Sequence, residues 1–193
     1  MVKGGFDSED FEAREFSFKI AEIINPFTTL PTDTFAMQIY DRIGGLMYTA
    51  NNKVELAAQA SDFAFVHVNS LNPQNGVKSI YQLTITLGVE TAQDAYLELT
   101  IPDEISFEDT SVCRGTRNLA ENLNCVFVAD RTRRISLTGD DPTETGPHPS
   151  GTTIQLEIGY LNNPLSLGAT GFFQLSTYNE VNGEKYLINE SKN

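Results

Sequence analysis

The two cysteines are the residues of this chain best suited to covalent chemistry. Cys113 and Cys125 are the only cysteines among 193 residues, and eleven residues separate them. A disulfide closing one loop suits this spacing and would stabilise the fold by about 3 kcal/mol in the chain-entropy model. The alternative is a pair of buried free thiols in a reducing compartment. The β-rich pattern and the acidic composition favour the bridge, and with it an extracellular or cell-surface location.

The other reactive side chains are not arranged for catalysis. His67 lies in an apolar run and His148 in a proline-rich segment, and neither has the sequence pattern of a catalytic triad around it. The carboxylates within residues 103–109 could share a cleft, but nothing pairs them. Two cysteines without a nearby histidine do not fill a zinc site, and the acidic groups at 7–12 and 140–144 lack the spacing of a calcium loop. We therefore expect no enzyme activity, no metal and no cofactor.

Hydroxyl-rich segments and one sequon are the candidate glycan sites. Residues 138–153 contain three prolines and are predicted to form a long exposed loop, and residues 28–34 have a similar composition. Asn189 begins the one N-glycosylation sequon, a pattern short enough to arise by chance. An ordinary flexible loop is the alternative for both hydroxyl-rich segments. The candidate O-glycosylation sites are Thr28, Thr29, Thr32, Thr143, Thr145 and Ser150.

Composition and charge exclude whole classes of partner. The chain has 13 basic and 26 acidic side chains, so its formal net charge is −13, and such a surface repels the phosphate backbone of nucleic acids. No run approaches the roughly 18 to 20 apolar residues of a membrane-spanning helix. The first residues also lack the apolar segment of a signal peptide. An extracellular location therefore requires either a leader that was removed or a longer parent chain.

Most apolar residues alternate with polar ones, which is the period of half-buried β-strands. Residues 54–60 are the one helix candidate, and a strand is the alternative there. Arg131, Arg133 and Arg134 are predicted to lie in a solvated turn, with contact to an acidic neighbouring subunit as the alternative. The spacing of strands and turns predicts an antiparallel β-sandwich. The strand-like runs are residues 16–20, 63–68, 80–87, 95–101, 125–129, 154–160 and 172–178.

An internal repeat relates the two ends of the chain. At an offset of 138, residues 16–52 align without a gap on residues 154–190, and nine of the 37 pairs are identical. The identities fall on turn residues and on aromatic strand residues, which argues for real repetition. We call the residue 138 positions further on the counterpart. The residues that define the repeat are Asn25, Pro26, Phe35, Tyr40 and Gly45, with their counterparts Asn163, Pro164, Phe173, Tyr178 and Gly183.

The repeat predicts how the chain divides into modules. If one module has about 138 residues, residues 53–193 form one complete module and residues 1–52 form only the last strands of another. A few strands with one apolar face cannot close a sandwich by themselves. We therefore expect that the first part belongs to a longer array or is completed by strands from a neighbouring chain.

The repeated element resembles the Ig-like β-sandwich modules that occur in tandem in very large extracellular proteins of protists, ciliates among them. It consists of a strand, Asn-Pro, a Thr/Ser/Pro loop, a Phe and Tyr five residues apart, Gly and Tyr. The second copy departs from the pattern, because Ala169 stands where the first has Pro31. The matching residues are Asn25-Pro26, Pro31-Thr32, Phe35, Tyr40-Asp41 and Gly45, and again Asn163-Pro164, Thr170, Phe173, Tyr178-Asn179 and Gly183.

The resemblance implies a surface-coat, adhesive or filament-forming role without catalytic residues. We expect a structural subunit of an extracellular filament or surface-coat array, built from repeated Ig-like modules and completed by strand exchange between neighbours. The partners would be copies of the chain or adjacent modules of a longer chain, and glycans are further candidate partners. The alternative is an adhesive or carbohydrate- or protein-binding module that uses loops at the end of the sandwich.

Overall fold

The chain folds as an all-β protein in a computed structural model that describes residues 17, 19–23, 25–26, 28–107, 112–129, 131–137 and 147–191. These residues form thirteen strands and no helix, so the prediction of an all-β protein is confirmed. The described part of the chain accordingly contains no helix that could cross a membrane. The strands are β1 Phe35–Tyr40, β2 Leu46–Val54, β3 Ser61–Asp62, β4 Phe65–Ser70, β5 Lys78–Thr86, β6 Tyr96–Thr100, β7 Ser106–Phe107, β8 Cys113–Arg117, β9 Cys125–Ala129, β10 Thr132–Ser136, β11 Thr153–Asn162, β12 Gln174–Val181 and β13 Glu184–Glu190.

Eleven of the strands form two sheets, and β1 and β2 form a separate hairpin. One sheet has the order β3-β13-β12-β6-β10-β9, and the other has the order β4-β5-β11-β7, with β8 also paired to β11. The pairs within the sheets are antiparallel except β13 and β3, which run parallel. The hairpin β1–β2 is antiparallel and has no third strand in the described part of the chain.

One hydrophobic core lies between the two sheets. Along each central strand every second residue is buried, because successive side chains of a strand point to opposite faces. Leu83 and Ile85 of β5 and Leu97 of β6 are fully buried, and they belong to the same cluster although their strands lie in different sheets. The two sheets therefore pack face to face as in a sandwich.

Alternation located most of the strands, including the end of β6. Six of the predicted runs coincide with β4, β5, β6, β9, β11 and β12. The strand β6 ends at Thr100, just before Pro102, which has no amide hydrogen to donate to a ladder. Two predictions were wrong. Residues 17, 19 and 20 of the first run are not in a strand, and residues 55–60 form neither a helix nor a strand, since a run this short cannot hold a helix by itself.

Of the arginine cluster, Arg131 lies in a turn as predicted, but Arg133 and Arg134 do not. Arg133 and Arg134 lie in β10, between β6 and β9. Arg133 is 1% exposed, and its guanidinium carbon lies 3.4 Å from the centroid of the Phe127 ring and 5.5 Å from that of Phe107. Phe127 belongs to one sheet and Phe107 to the other. Aromatic faces attract a cation, so Arg133 fills this edge of the sandwich instead of facing solvent.

Candidate functional site

The two cysteines form a disulfide, as predicted. Cys113 begins β8 and Cys125 begins β9, and the two Cα atoms lie 5.8 Å apart. These strands belong to different sheets, so the bridge ties the two sheets together. A disulfide persists in an oxidising environment. The bond therefore fits an oxidising compartment.

The sequon asparagine is a buried part of the fold. Asn189 lies in β13 with no exposed surface. Its Nδ2 atom donates to the Thr177 hydroxyl over 2.9 Å, and its Oδ1 accepts a hydrogen bond of 3.2 Å from the Val89 amide. A glycan on Nδ2 does not fit this packing. The structure thus argues against Asn189 as a glycosylation site.

Three of the hydroxyl groups proposed to carry O-glycans form hydrogen bonds with the backbone. The Thr28 hydroxyl accepts from the Leu30 amide, and the Thr32 hydroxyl accepts from the Leu56 amide. Thr28, Thr29 and Thr32 are half-buried. Ser150 is exposed, and its hydroxyl donates to the Gly88 carbonyl over 2.8 Å. Thr143 and Thr145 lie outside the described residues, and O-glycosylation stays a prediction.

The two histidines differ in environment. His67 is exposed in β4 and stacks on Phe65. His148 is buried, which corrects the prediction of an exposed loop at this position, and its backbone pairs with that of Thr91. Burial lowers the pKa of His148. The carbonyl of Leu137 accepts a hydrogen bond from the His148 ring and opposes that shift.

The two carboxylates of the 102–105 turn form an ion pair and a hydrogen bond with the backbone. Asp103 lies 3.2 Å from the Arg131 guanidinium, and Glu104 accepts a hydrogen bond of 3.1 Å from the Gly171 amide. That bond from Gly171 is the main reason that the pKa of Glu104 is lowered. Arg131 also donates to the carbonyl groups of Ile101, Pro102 and Ile105. Glu108 and Asp109 lie outside the described residues. The described residues contain no group of three His, Cys, Asp or Glu side chains that could hold a metal ion.

Asn163, one of the repeat-defining residues, organises one end of the sandwich. Its Oδ1 accepts from the hydroxyl groups of Tyr81 and Ser70, and its Nδ2 donates to the carbonyl groups of Asn72 and Gln74. The side chain therefore fastens the segment between β4 and β5 to the end of β11. Its counterpart Asn25 is exposed. The same residue type is thus buried with four hydrogen-bond partners in the second copy and exposed in the first.

The two hairpins of the repeat differ in their turns. In β12–β13, Asn182 and Gly183 have φ angles of 56° and 82° and form a two-residue turn between Val181 and Glu184. Such turns require positive φ at both central positions. In β1–β2 the loop spans residues 41–45, and the Asp41 carboxylate accepts from the amides of Ile43 and Gly45.

The two hairpins pair in different registers. Ile39 lies opposite Tyr48, whereas its counterpart Thr177 lies opposite Asn189, the counterpart of Asn51. The alternation along β1 and β12 is nevertheless the same, because Met37 and Ile39 are the more buried residues of β1, as their counterparts are in β12. The face that β12 buries therefore has a matching face on β1.

That matching face is apolar and open. Three cross-strand pairs form it: Phe35 with Val54, Met37 with Ala50, and Ile39 with Tyr48. We call these six residues the hairpin face. Phe35, Tyr48 and Val54 are about half exposed, at 48%, 55% and 52%. Met37, Ile39 and Ala50 are half-buried, whereas Leu175 and Thr177, the counterparts of Met37 and Ile39, are 1% and 0% exposed.

A backbone feature outside the strand ladders also recurs. Glu22 and Tyr160 are counterparts, and their φ angles are 63° and 65°. Few residues other than glycine adopt positive φ; the described chain has four such residues, and these two are a matched pair. Tyr160 lies at an irregularity of β11, where Ile158 and Leu161 pair with Tyr81 and Ser79. Sequence reasoning could not have found this match, since neither residue type signals it.

The hairpin face is the candidate functional site of this chain, because it is the surface whose buried equivalent is visible in the same molecule. Its signal in the sequence was the repeat itself, although the residues on the open face became clear only from the strand pairing. Comparison with models of known protein families finds no match, and no curated protein matches the chain at a significant level.

Proposed function

We propose that the protein is a structural module of an extracellular filament or surface-coat array, in which the hairpin β1–β2 is completed by strands of a neighbouring module. One observation carries this proposal. The hairpin matches β12–β13 in sequence, and β1 matches β12 in its apolar face, yet within the described residues the hairpin has neither the third strand nor the opposing sheet that bury that face of β12. Apolar faces of this kind mark interaction surfaces.

The strand order supports an Ig-like assignment for the module that begins near residue 53. We label β4, β5 and β6 as A, B and C, β7 with β8 as D, and β11, β12 and β13 as E, F and G. With these labels one sheet has the order A-B-E-D, and the other contains the order G-F-C. Constant-type Ig domains have sheets with the strand orders A-B-E-D and G-F-C, which supports the assignment. The hairpin β9–β10 extends the second sheet beyond C, and β3 runs parallel to G at its other edge.

On this assignment the hairpin β1–β2 corresponds to strands F and G of a preceding module. The repeat-defining residues Phe35 and Tyr40 then have the roles of Phe173 and Tyr178, and Gly45 that of Gly183. The disulfide supports a location outside the cell, where such bonds persist. The proposed role is non-catalytic, and its partners are copies of the chain or adjacent modules.

Limited proteolysis of the purified chain tests this function. In the isolated chain, cleavage within residues 35–54 should precede cleavage within residues 61–191, because two strands without a third are marginally stable. In native filaments or coats, examined by electron microscopy and digested in parallel, the same segment should resist the protease. A compact monomer in which residues 35–54 are as resistant as the sandwich would contradict the proposal.

A further inference from the structure

We propose that the free edge of β1 is a strand-addition site, which takes an antiparallel strand that has an uncharged residue at its central outward position. The inference rests on the proposed function and specifies the chemistry of the partner. The strand β6 shows how such an added strand would pair, because it lies beside β12 on the edge opposite β13.

The pairing of β12 with β6 defines the register of the added strand. Leu175 lies opposite Leu99, Ser176 opposite Glu98, and Tyr178 opposite Tyr96. The counterparts in β1 are Met37, Gln38 and Tyr40. A strand of five residues added to β1 in this register places two apolar side chains beside Met37 and Ile39, on the hairpin face.

Within the described part of the chain, the strand β1 has none of the features that protect an exposed edge. Proteins usually block such edges with charged side chains, proline or a covering segment. The sequence of β1, FAMQIY, contains neither a charge nor a proline, and Phe35 and Tyr40 are about half exposed. An edge of this composition favours pairing with another strand.

The partner differs from β6 at one position. In β6 the Glu98 carboxylate is 2.6 Å from the Lys185 ammonium and 3.4 Å from the Arg134 guanidinium. Lys185 lies two residues before Leu187, the partner of Tyr178. The partner of Tyr40 is Leu46, and the residue two positions before it is Gly44. A glutamate added opposite Gln38 would therefore lack this ammonium group, so a neutral residue fits better.

An aromatic residue is favoured at the start of the added strand. Tyr178 stacks on Tyr96, with 5.7 Å between the ring centroids. Its counterpart Tyr40 is also a tyrosine, and it is 53% exposed. Stacked rings gain energy beyond the burial of their area. The added strand therefore has the pattern aromatic, apolar, neutral polar, apolar, polar.

Short peptides test this site on the full chain. The probes are acetylated peptides with the sequence of residues 95–101, AYLELTI, one unchanged and one carrying Glu98→Gln, and a control that carries Leu97→Pro and Leu99→Pro. Amide hydrogen exchange by NMR reports where each peptide binds. We expect millimolar peptide to slow exchange in residues 36–40, with binding about fivefold tighter for Glu98→Gln, the size of one weak ion pair, and no effect of the proline peptide.

Two variants of the full chain locate the binding. Ile39→Asp on the hairpin face should abolish protection by the peptide, and Val126→Asp, on the exposed face of the edge strand β9, should leave it unchanged. A cross-strand contact between Gln38 and Thr49 in the NMR spectrum shows that the hairpin remains formed in each variant. The unmodified chain with the three peptides is a sufficient test if Ile39→Asp unfolds the hairpin.

The outcomes separate this inference from the proposed function. Protection of β9 instead of β1, or of neither strand, would overturn the strand-addition site, and equal affinity of the Glu and Gln peptides would overturn the preference for a neutral residue. Protease resistance of residues 35–54 in native assemblies would then still support the proposed function. If the peptide binds to β1 but residues 35–54 are not protected in native assemblies, the strand-addition site is supported and the proposed role in an array is contradicted.

Discussion

The Tyr81 hydroxyl donates a hydrogen bond of 2.6 Å to Oδ1 of Asn163, and both side chains are buried. The bond joins β5 to the residue that follows β11. Because Asn163 also binds two carbonyl groups, Asn163→Ala leaves several buried polar groups without a partner, and we expect a loss of about 3 kcal/mol in the free energy of unfolding. Urea denaturation measures this loss.

The repeat supplies the control for this substitution. Asn25→Ala changes the exposed counterpart and should alter the free energy of unfolding by less than about 0.5 kcal/mol. Equal effects of the two substitutions would show that the hydrogen bonds of Asn163 do not stabilise the sandwich.

The disulfide is expected to stabilise the module measurably. Reduction, or the double substitution Cys113→Ser and Cys125→Ser, opens a loop of eleven intervening residues. We expect a loss of about 3 kcal/mol and a lower midpoint of thermal unfolding. Unfolding with and without a reducing agent measures the effect, and the double variant should be insensitive to the reductant.

Gly88 allows β3 to approach the end of β5. A Cβ atom at Gly88 would lie 1.9 Å from the Asp62 carbonyl oxygen. Gly88→Ala should therefore displace β3 and cost more than about 2 kcal/mol. Gly159→Ala is the matched control, since its nearest neighbour would lie at 3.8 Å and we expect a change within about 0.5 kcal/mol. Circular dichroism during urea unfolding gives both values.

His148 should make stability depend on pH. Burial lowers the pKa of His148 in the folded chain below the ordinary histidine value of about 6.5. The unfolded chain therefore binds the proton first as the pH falls, and stability is lost from about pH 6.5 downward until the pH reaches the folded pKa. We expect the free energy of unfolding to be lower at pH 5.5 than at pH 7.5.

The variant His148→Gln should reduce that difference, whatever its effect on stability at pH 7.5. His67→Gln, on the exposed face of β4, should retain the difference. Chemical denaturation of the three proteins at both pH values makes the comparison. If His148→Gln shows the same pH dependence of stability as the unmodified chain, other titratable groups cause that dependence.

Alternation and turn chemistry were sufficient to predict the strands that are buried on one face. The run IYQLTITL became β5 and CVFVA became β9, because every second side chain points into the core. The spacing of the cysteines likewise predicted the disulfide. The short strands β3 and β7 have two residues each, which is too few for any period to be recognised.

Polar residues that tertiary contacts bury are the part that the sequence did not predict. Arg133 reads as a surface residue, since a charged side chain is rarely fully buried, but it lies against the rings of Phe107 and Phe127. Asn163 reads as a turn residue, although four groups from other segments bind it. Such partners are distant in sequence, so local patterns do not reveal them.

The parallel pair β3 and β13 has a mechanical consequence. Ser61 lies beside Asn189, and the Phe63 amide donates to the Glu190 carbonyl over 3.2 Å. These residues are close to the points where the chain enters and leaves the sandwich. Tension applied to the two ends pulls β3 and β13 in opposite directions along their length, so their hydrogen bonds are loaded together in shear and not opened one after another. In a stretched array, the parallel pairing of β3 with β13 would set the unfolding rate of the module under force.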